Sequence, residues 1–493
     1  MILFFESGKI KTMKYFINTN KTTSKTTKKT HLCLLVVTML SVCNVQAGLF
    51  KKEPVEPKKY PEVPSILDIY YMALEYDNQI AAAKYRTNAE KEARAQAWSG
   101  LLPKANLNVY TRLNDNATDS EIAFIAPETH YNQNGYTLVA SQTLLNIPAL
   151  IALPESKLKS KKSDLRLLEQ EHNLIARVAQ SYVGLIVAQS NLDVVETREK
   201  AIEELLEQAK LNFELGTATI TDTHEAQAAR DVVHAQSIAV RNKLKTIKHS
   251  LYTLTGQHFD DVVKFEKDLP LDLEDFELPP LNELEEIALK ANLRLNMARI
   301  DHVLAKLSLR KSQTSRLPTL DMVATFGENN ANGSAFGNSV TDVEFYSVGA
   351  ELNMPLLAGG GLNSSVRRAR NSFKEKRETL EFAEKQTLLQ LREAYLNVDL
   401  ALSSLRAFRV AVETAKLSLD STLLGFKLGE RTSLDVLSAQ QTYYQAVRDH
   451  TESQYSYLIA SLGISLSLGL VSEENIVFIA ELAEKTNSGE ATK

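Results

Sequence analysis

Two aspartates occupy matching places in the chain. Asp222 ends the stretch "FELGTATITD" (Phe213–Asp222) and Asp435 ends "FKLGERTSLD" (Phe426–Asp435), at a constant offset of 213 residues. A threonine stands three residues before each acid (Thr219, Thr432), and a glycine six residues before it (Gly216, Gly429). A carboxylate at the third helical position can accept the amide of an N-cap threonine while the threonine hydroxyl serves the acid's own amide, a capping box with Asp in place of Glu. The acid also suits the positive end of the helix dipole. Gly216 and Gly429 then read as left-handed residues that close the preceding helix. A second chemistry opens if copies of the chain surround an axis, because a ring of carboxylates selects cations and sets a barrier to their passage. The two roles are compatible, since one acid can cap its helix and line a pore.

Nothing else in the chain has the spacing of a catalytic or cofactor site. The nine histidines include no HExxH pair. "GGG" at 359–361 precedes a helical pattern but lacks GxGxxG or a Walker lysine. It reads as a flexible junction. No enzyme activity and no cofactor are expected.

The elements that must position the two turns are long. Glu155 to Phe213 and Gly361 to Phe426 each run some 60 residues without proline and with one interior glycine (Gly184, Gly425). At ~1.5 Å per residue each helix would be roughly 90–100 Å long. Leu388, Leu391, Tyr395, Val398, Leu402 and Leu405 step by three and four, and the same offset gives Ile175, Val178, Tyr182, Leu185, Gln189 and Leu192. That is the seam of a helix packed on a neighbour. Returning helices run from the turns to Gly256 and Gly469.

Self-similarity extends over most of the chain, so a duplication organises it. The first repeat spans 65–256, with strands near 104–113 and 136–146 and a turn at 214–219. The second spans 283–469, with strands near 319–327 and 345–354 and a turn at 427–432. Residues 257–282, broken by Pro270, Pro279 and Pro280, form a connector, and 470–493 a tail. Shorter helices, about Ile66 to Trp98 and Leu284 to Ser315, precede the strand pairs. In the strands, Ala105, Leu107, Val109 and Leu113 oppose Asn106, Asn108, Tyr110 and Arg112, and Tyr346, Val348, Ala350 and Leu352 oppose Ser347, Gly349, Glu351 and Asn353. Alternation over ~10 residues suits a membrane barrel with lipid outside and water inside. Polar loops, Asn114 to Gly135 and Glu328 to Glu344, fit an extracellular end. Four strands cannot close a barrel, and open edges are not tolerated in lipid. Oligomerisation must close the sheet, and three copies would give twelve strands.

Lys21, Lys25, Lys28 and Lys29, the apolar run "LCLLVVTMLSVC" and Val45-Gln46-Ala47 read as a signal peptide over 1–47, leaving a linker at 48–64. Translation from Met13 would give a more usual n-region. Cleavage after Ala47 leaves 49 basic and 60 acidic residues, a net charge of −11, and removes both cysteines, Cys33 and Cys43. Disulfides, cysteine metal sites and a nucleic-acid partner are then excluded. Lipidation of Cys43 is the alternative to cleavage after Ala47, with Val42 before it a departure from the lipoprotein pattern.

In order and spacing, "LLP" before the first strand, "ELNMPLLAGGGLNSSVRRAR" after the fourth, and both F-x-L-G-x-x-T-x-x-D turns resemble the TolC family of outer-membrane efflux channels. The resemblance covers nearly all of the chain after the signal. It implies a mostly α chain forming a homotrimer, with a 12-stranded β-barrel in outer-membrane lipid continuous with a periplasmic α-helical tube. It implies a passive exit duct for drugs or secreted proteins, working with a periplasmic adaptor and an inner-membrane transporter of the RND or ABC type. It further implies a gate at the periplasmic turns. Arg431 would pair with Asp222 of a neighbouring chain, Thr221 would lie nearby, and Asp435 would form an inner acidic ring. Two positions depart from the family pattern. Phe426 stands where a tyrosine hydroxyl could bond the first-turn acid, and Ser438 stands where a second acidic ring would be. Weaker closure and weaker cation selectivity are expected. The competing reading is a non-channel trimeric coiled coil, an envelope spacer or adhesin stalk.

Overall fold

The computed structural model describes residues 5–6, 9–10, 64–117, 128–217, 219–259, 278–334 and 340–477. All of the signal segment except residues 5–6 and 9–10, the lipidation candidate Cys43, residues 48–63, most of the connector and the end of the tail lie outside the described residues. The chain divides into two units, Met1–Lys59 and Tyr60–Lys493. In the first, Phe5–Glu6 pairs antiparallel with Lys9–Ile10.

The second unit carries everything else. Three short helices, α1 (Ile66–Tyr76), α2 (Asn78–Lys91) and α3 (Ala93–Ser99), lead into strands β1 (Lys104–Ala117) and β2 (Glu128–Leu145). Helix α4 (Ile147–Glu214) then reaches the first turn and α5 (Ile220–Thr255) returns. The second half repeats the order with α6 (Leu281–Ala291), α7 (Leu293–Thr314), β3 (Thr319–Ala331), β4 (Thr341–Asn353), α8 (Gly361–Lys427) and α9 (Ser433–Leu468).

The short helices break where a single one was expected, and at matching places. Asp77 accepts from the Gln79 amide at 2.6 Å and Asn292 from the Leu295 amide at 3.0 Å, so each ends one helix and N-caps the next. Helix α4 also starts earlier than its proline pattern suggested. Asn146 accepts from the Ala149 amide at 3.0 Å and Pro148 sits in the first turn, where its missing N–H has no partner to lose. The helix continues through Pro154. At 68 and 67 residues, α4 and α8 are each about 100 Å long.

The four strands form one antiparallel sheet in the order β1-β2-β3-β4. Pairing runs beyond the expected ends, from Ala117↔Glu128 between β1 and β2 to Ala331↔Thr341 between β3 and β4. Much of what reads as polar loop is therefore strand, because a ladder of backbone bonds continues past the apolar band whatever the side chains are. No helix among the described residues is long and apolar enough to cross a membrane.

The helical half is held by a central core. Ile66 and Ile69 of α1 pack with Leu174, Val178 and Tyr182 of α4, Val398 and Leu402 of α8, and Leu458 of α9. Val471 and Ile476, beyond α9, join it. Tyr182, Leu185, Leu391 and Leu405, all on the heptad seam, are among the fully buried side chains. Each contributes roughly 1.5–3 kcal/mol relative to exposure.

Candidate functional site

Each long helix ends in a Schellman motif. At the first turn, the Gly216 amide donates to the Phe213 carbonyl at 3.0 Å and the Thr217 amide to the Asn212 carbonyl at 2.8 Å. At the second, Gly429 donates to Phe426 at 3.1 Å and Glu430 to Gly425 at 2.9 Å. Gly216 and Gly429 have φ of 72° and 79°, the left-handed region that a side chain disfavours.

The returning helices begin with full capping boxes. The Asp222 amide donates to Thr219 Oγ1 at 3.3 Å, while the Thr219 amide and hydroxyl donate to Asp222 Oδ2 at 3.0 and 2.8 Å. The Asp435 amide donates to Thr432 Oγ1 at 3.2 Å, and Thr432 returns both bonds to Asp435 Oδ2 at 2.9 Å. These bonds hold both carboxyls below their ordinary range. The Thr219 hydroxyl is the largest cause for Asp222, and the Thr432 amide for Asp435, with the Arg431 charge assisting there. Both acids are therefore ionised at neutral pH.

The turns differ in one contact. Ser433, buried at the start of α9, donates its hydroxyl to Asp222 Oδ1 at 3.2 Å. Asp222 thus uses one oxygen for its own helix and the other to hold the second turn. Sequence reading missed Ser433, because the matching residue of the first repeat is Ile220 and nothing local marks the serine as a partner. Phe426 packs beside a small core of Ile202, Leu205, Val233, Val436 and Leu437, which joins all four long helices just above the turns. Thr221, Arg431 and Ser438 are exposed. Within the protomer Arg431 forms no ion pair among the described residues. Its stem lies over Gly425, where an added Cβ would be 2.8 Å from Arg431 Cγ. Asp222, Asp435 and Arg431 thus lie on the two turns that the Ser433–Asp222 bond joins, with the Arg431 side chain exposed. Among the described residues no cluster of His, Cys, Asp or Glu could hold a metal ion.

Comparison with known proteins places this arrangement. The model of the outer membrane efflux protein family matches residues 69–257 and again 284–470, one match per repeat. The chain is 30% identical over 420 residues to outer membrane protein TolC of Vibrio cholerae, covering 84% of this chain and 92% of that one. It is 26% identical over 422 residues to the alkaline protease secretion protein AprF of Pseudomonas aeruginosa, covering 84% and 86%. The crystal structures of CusC, described with transmembrane channel formation, share the fold with a TM-score of 0.71 at 12% identity, over 82% of this chain and 92% of that one. With both repeats matched, the chain belongs to the outer membrane efflux protein family.

Proposed function

We propose that this outer-membrane protein is the exit duct of a tripartite efflux or type I secretion machine. It acts as a homotrimer with a periplasmic adaptor and an inner-membrane transporter of the RND or ABC type. The observation that carries the reading is the four-stranded sheet whose outer strands, β1 and β4, each pair on one side only among the described residues. In lipid such edges must be paired. β4 runs opposite to β1, so a second copy can continue the sheet in the same antiparallel sense, and three copies close it.

The helical half supports the same assembly. Phe382, Leu389, Leu396, Val410, Leu417 and Leu424 of α8 are 49–69% exposed at heptad positions. A regular apolar stripe of this kind suits a neighbouring helix. Around a threefold axis the turns form rings. Arg431 then reaches Asp222 of the adjacent chain, Thr221 lines the same contact, and Asp435 lines the opening as one acidic ring, with Ser438 adding no second one. Export through such a duct is passive, and opening consists of loosening the second hairpin when the partners dock.

Single-channel conductance in a planar bilayer tests the reading. The purified trimer should give small steps, and Arg431→Ser several-fold larger ones. A conducting trimer indifferent to Arg431→Ser keeps the duct and removes the gate role of Arg431. A verified trimer without conductance sinks the duct in favour of a coiled-coil spacer.

A further inference from the structure

The polar face of the sheet holds two aromatic rings and two glycines in a reciprocal arrangement. Tyr110 of β1 lies opposite Gly135 of β2, and Phe345 of β4 lies opposite Gly327 of β3. The two pairs are one step apart, since Gly135 faces Asn329 and Gly327 faces Thr137. This face also carries Asn106, Asn108 and Arg112, whereas the other carries Leu107, Val109, Tyr346 and Val348, which are 64–84% exposed.

Each ring leans from an outer strand over an inner glycine. A Cβ on Gly327 would meet Phe345 Cζ at 2.6 Å, and one on Gly135 would meet Tyr110 Oη at 3.0 Å. The Tyr110 hydroxyl spans β2 and donates to Asn329 Oδ1 at 3.1 Å, where Gln133 Nε2 also donates at 3.0 Å. The Arg112 guanidinium is stacked 5.0 Å from the Tyr110 ring centre. The backbone closes in as well. The Glu328 carbonyl would be 2.4 Å from a Cβ on Gly135, and the Tyr136 carbonyl 2.6 Å from one on Gly327. The backbones of β2 and β3 thus approach each other here more closely than a side chain would allow, a use of strand glycines.

We infer that Gly135 and Gly327 set the bore of the exit duct by letting Tyr110 and Phe345 lie flat on its wall. This rests on the trimeric-channel reading above. Strand side chains otherwise stand roughly perpendicular to their sheet. Twelve strands about 4.8 Å apart and tilted by about 40° put the backbone about 12 Å from the axis. A ring lying on the wall takes about 3.5 Å of that radius and an upright one about 5 Å, so raising the rings removes at most roughly a third of the open cross-section. Gly135 and Gly327, with the Asn329 anchor, are thus the size-determining residues, because they keep the two rings out of the lumen.

The test bypasses the periplasmic gate by approaching from outside. Asn106→Cys places a reporter thiol on the channel face beyond both rings, and intact cells are labelled with maleimide–polyethylene glycol of graded size. The parent chain without the reporter supplies the background. Phe345→Ala should leave the largest admitted reagent unchanged. Asn329→Ala, which frees the Tyr110 hydroxyl without touching backbone, should slow that reagent several-fold. Gly327→Ala should lower the size limit, and adding Phe345→Ala should restore it. If Gly327→Ala fails to assemble, Asn329→Ala decides. A larger limit in Phe345→Ala or Tyr110→Ala would show rings standing in the lumen and overturn the inference, as would an unchanged rate in Asn329→Ala. No labelling of the reporter in an assembled trimer would overturn the channel reading itself, and this assignment with it.

Discussion

The two hairpins, α4 with α5 and α8 with α9, share a turn and differ in what fastens them. Along the lower part of the first, Glu196, Glu199 and Glu203 of α4 meet Arg241, His234 and Arg230 of α5 at 2.9, 2.6 and 3.3 Å. At the matching positions the second hairpin has Arg409, Val412 and Lys416 facing Gln454, Val447 and Tyr443, so the ladder cannot be repeated. Farther up, α4 is tied to α7 at a heptad spacing through Glu155–Lys311, Lys162–Asp301 and Glu169–Arg294 at 3.6, 2.6 and 2.7 Å. It is tied to α2 through Asp164–Lys91 and Arg166–Glu90, and to the Asp77 cap through Arg177. Helix α8 instead exposes its apolar heptad stripe, whose matching residues in α4 include Glu204 opposite Leu417 and Glu169 opposite Phe382. Duplication kept what one chain needs to reverse direction. It let diverge what each hairpin packs against. The first is fastened along its length by charged ladders; the second has Arg392–Glu285 and Arg299–Glu384, at 2.8 and 4.0 Å, as its ion pairs to the short helices, and keeps an exposed apolar stripe.

The comparison can be broken most severely at the stripe. Leu417→Arg should abolish the proposed trimer, because an unpaired charge buried between helices costs several kcal/mol. Glu204→Arg, the same change at the matching place in the first hairpin, should leave the trimer intact. Chemical cross-linking separates the two, and equal effects would erase the distinction. Next come the turns, where the hairpins should behave alike. Among the described residues nothing lies within 4 Å of a Cβ on Gly216 or Gly429, so Gly216→Ala and Gly429→Ala act through left-handed strain. Each should cost about 1–2 kcal/mol in thermal unfolding, and a large inequality would show that one turn carries load the other does not.

Smaller effects sharpen the asymmetry. Ser433→Ala removes the bond to Asp222, worth about 0.5–1.5 kcal/mol, and should shift the open fraction up to tenfold in single-channel records. Ile220→Ala, the mirrored change, should shift nothing. Smallest is the ladder, since exposed ion pairs contribute about 0.2–1 kcal/mol each. Glu199→Gln should lower hydrogen-exchange protection in α5 by a few tenths of a kcal/mol and leave α9 alone. The sign with pH follows from Glu199, whose carboxyl is held down chiefly by its bond to His234. Its contribution is present above the ordinary carboxylate range and is lost as pH falls through the depressed value. The deficit of Glu199→Gln should therefore vanish in acid, and a deficit that grew on acidification would assign the stabilisation elsewhere.

Reading the chain residue by residue was enough for the turns. A left-handed glycine, a threonine cap and an acid three residues on act within one helical turn of backbone, so Gly216, Thr219 and Asp222 carry their geometry wherever the helix goes. The heptad seam through Tyr182 and Leu405 was legible for a related reason, since periodicity states which face is buried. Periodicity does not state what covers it. The breaks at Asp77 and Asn292 were hidden because an acid or amide inside a helical pattern looks like a solvated face until its side chain is seen capping the next helix. The strand segments 114–117 and 128–135 looked like loop because polar side chains do not reveal a backbone ladder. Ser433 on Asp222, the ladder between α4 and α5, and the rings of Tyr110 and Phe345 over Gly135 and Gly327 join residues from 18 to 211 positions apart in the chain. Local propensity has no term for such pairs. Their existence depends on which elements lie side by side, and that was decided only when the helices packed and the sheet curved.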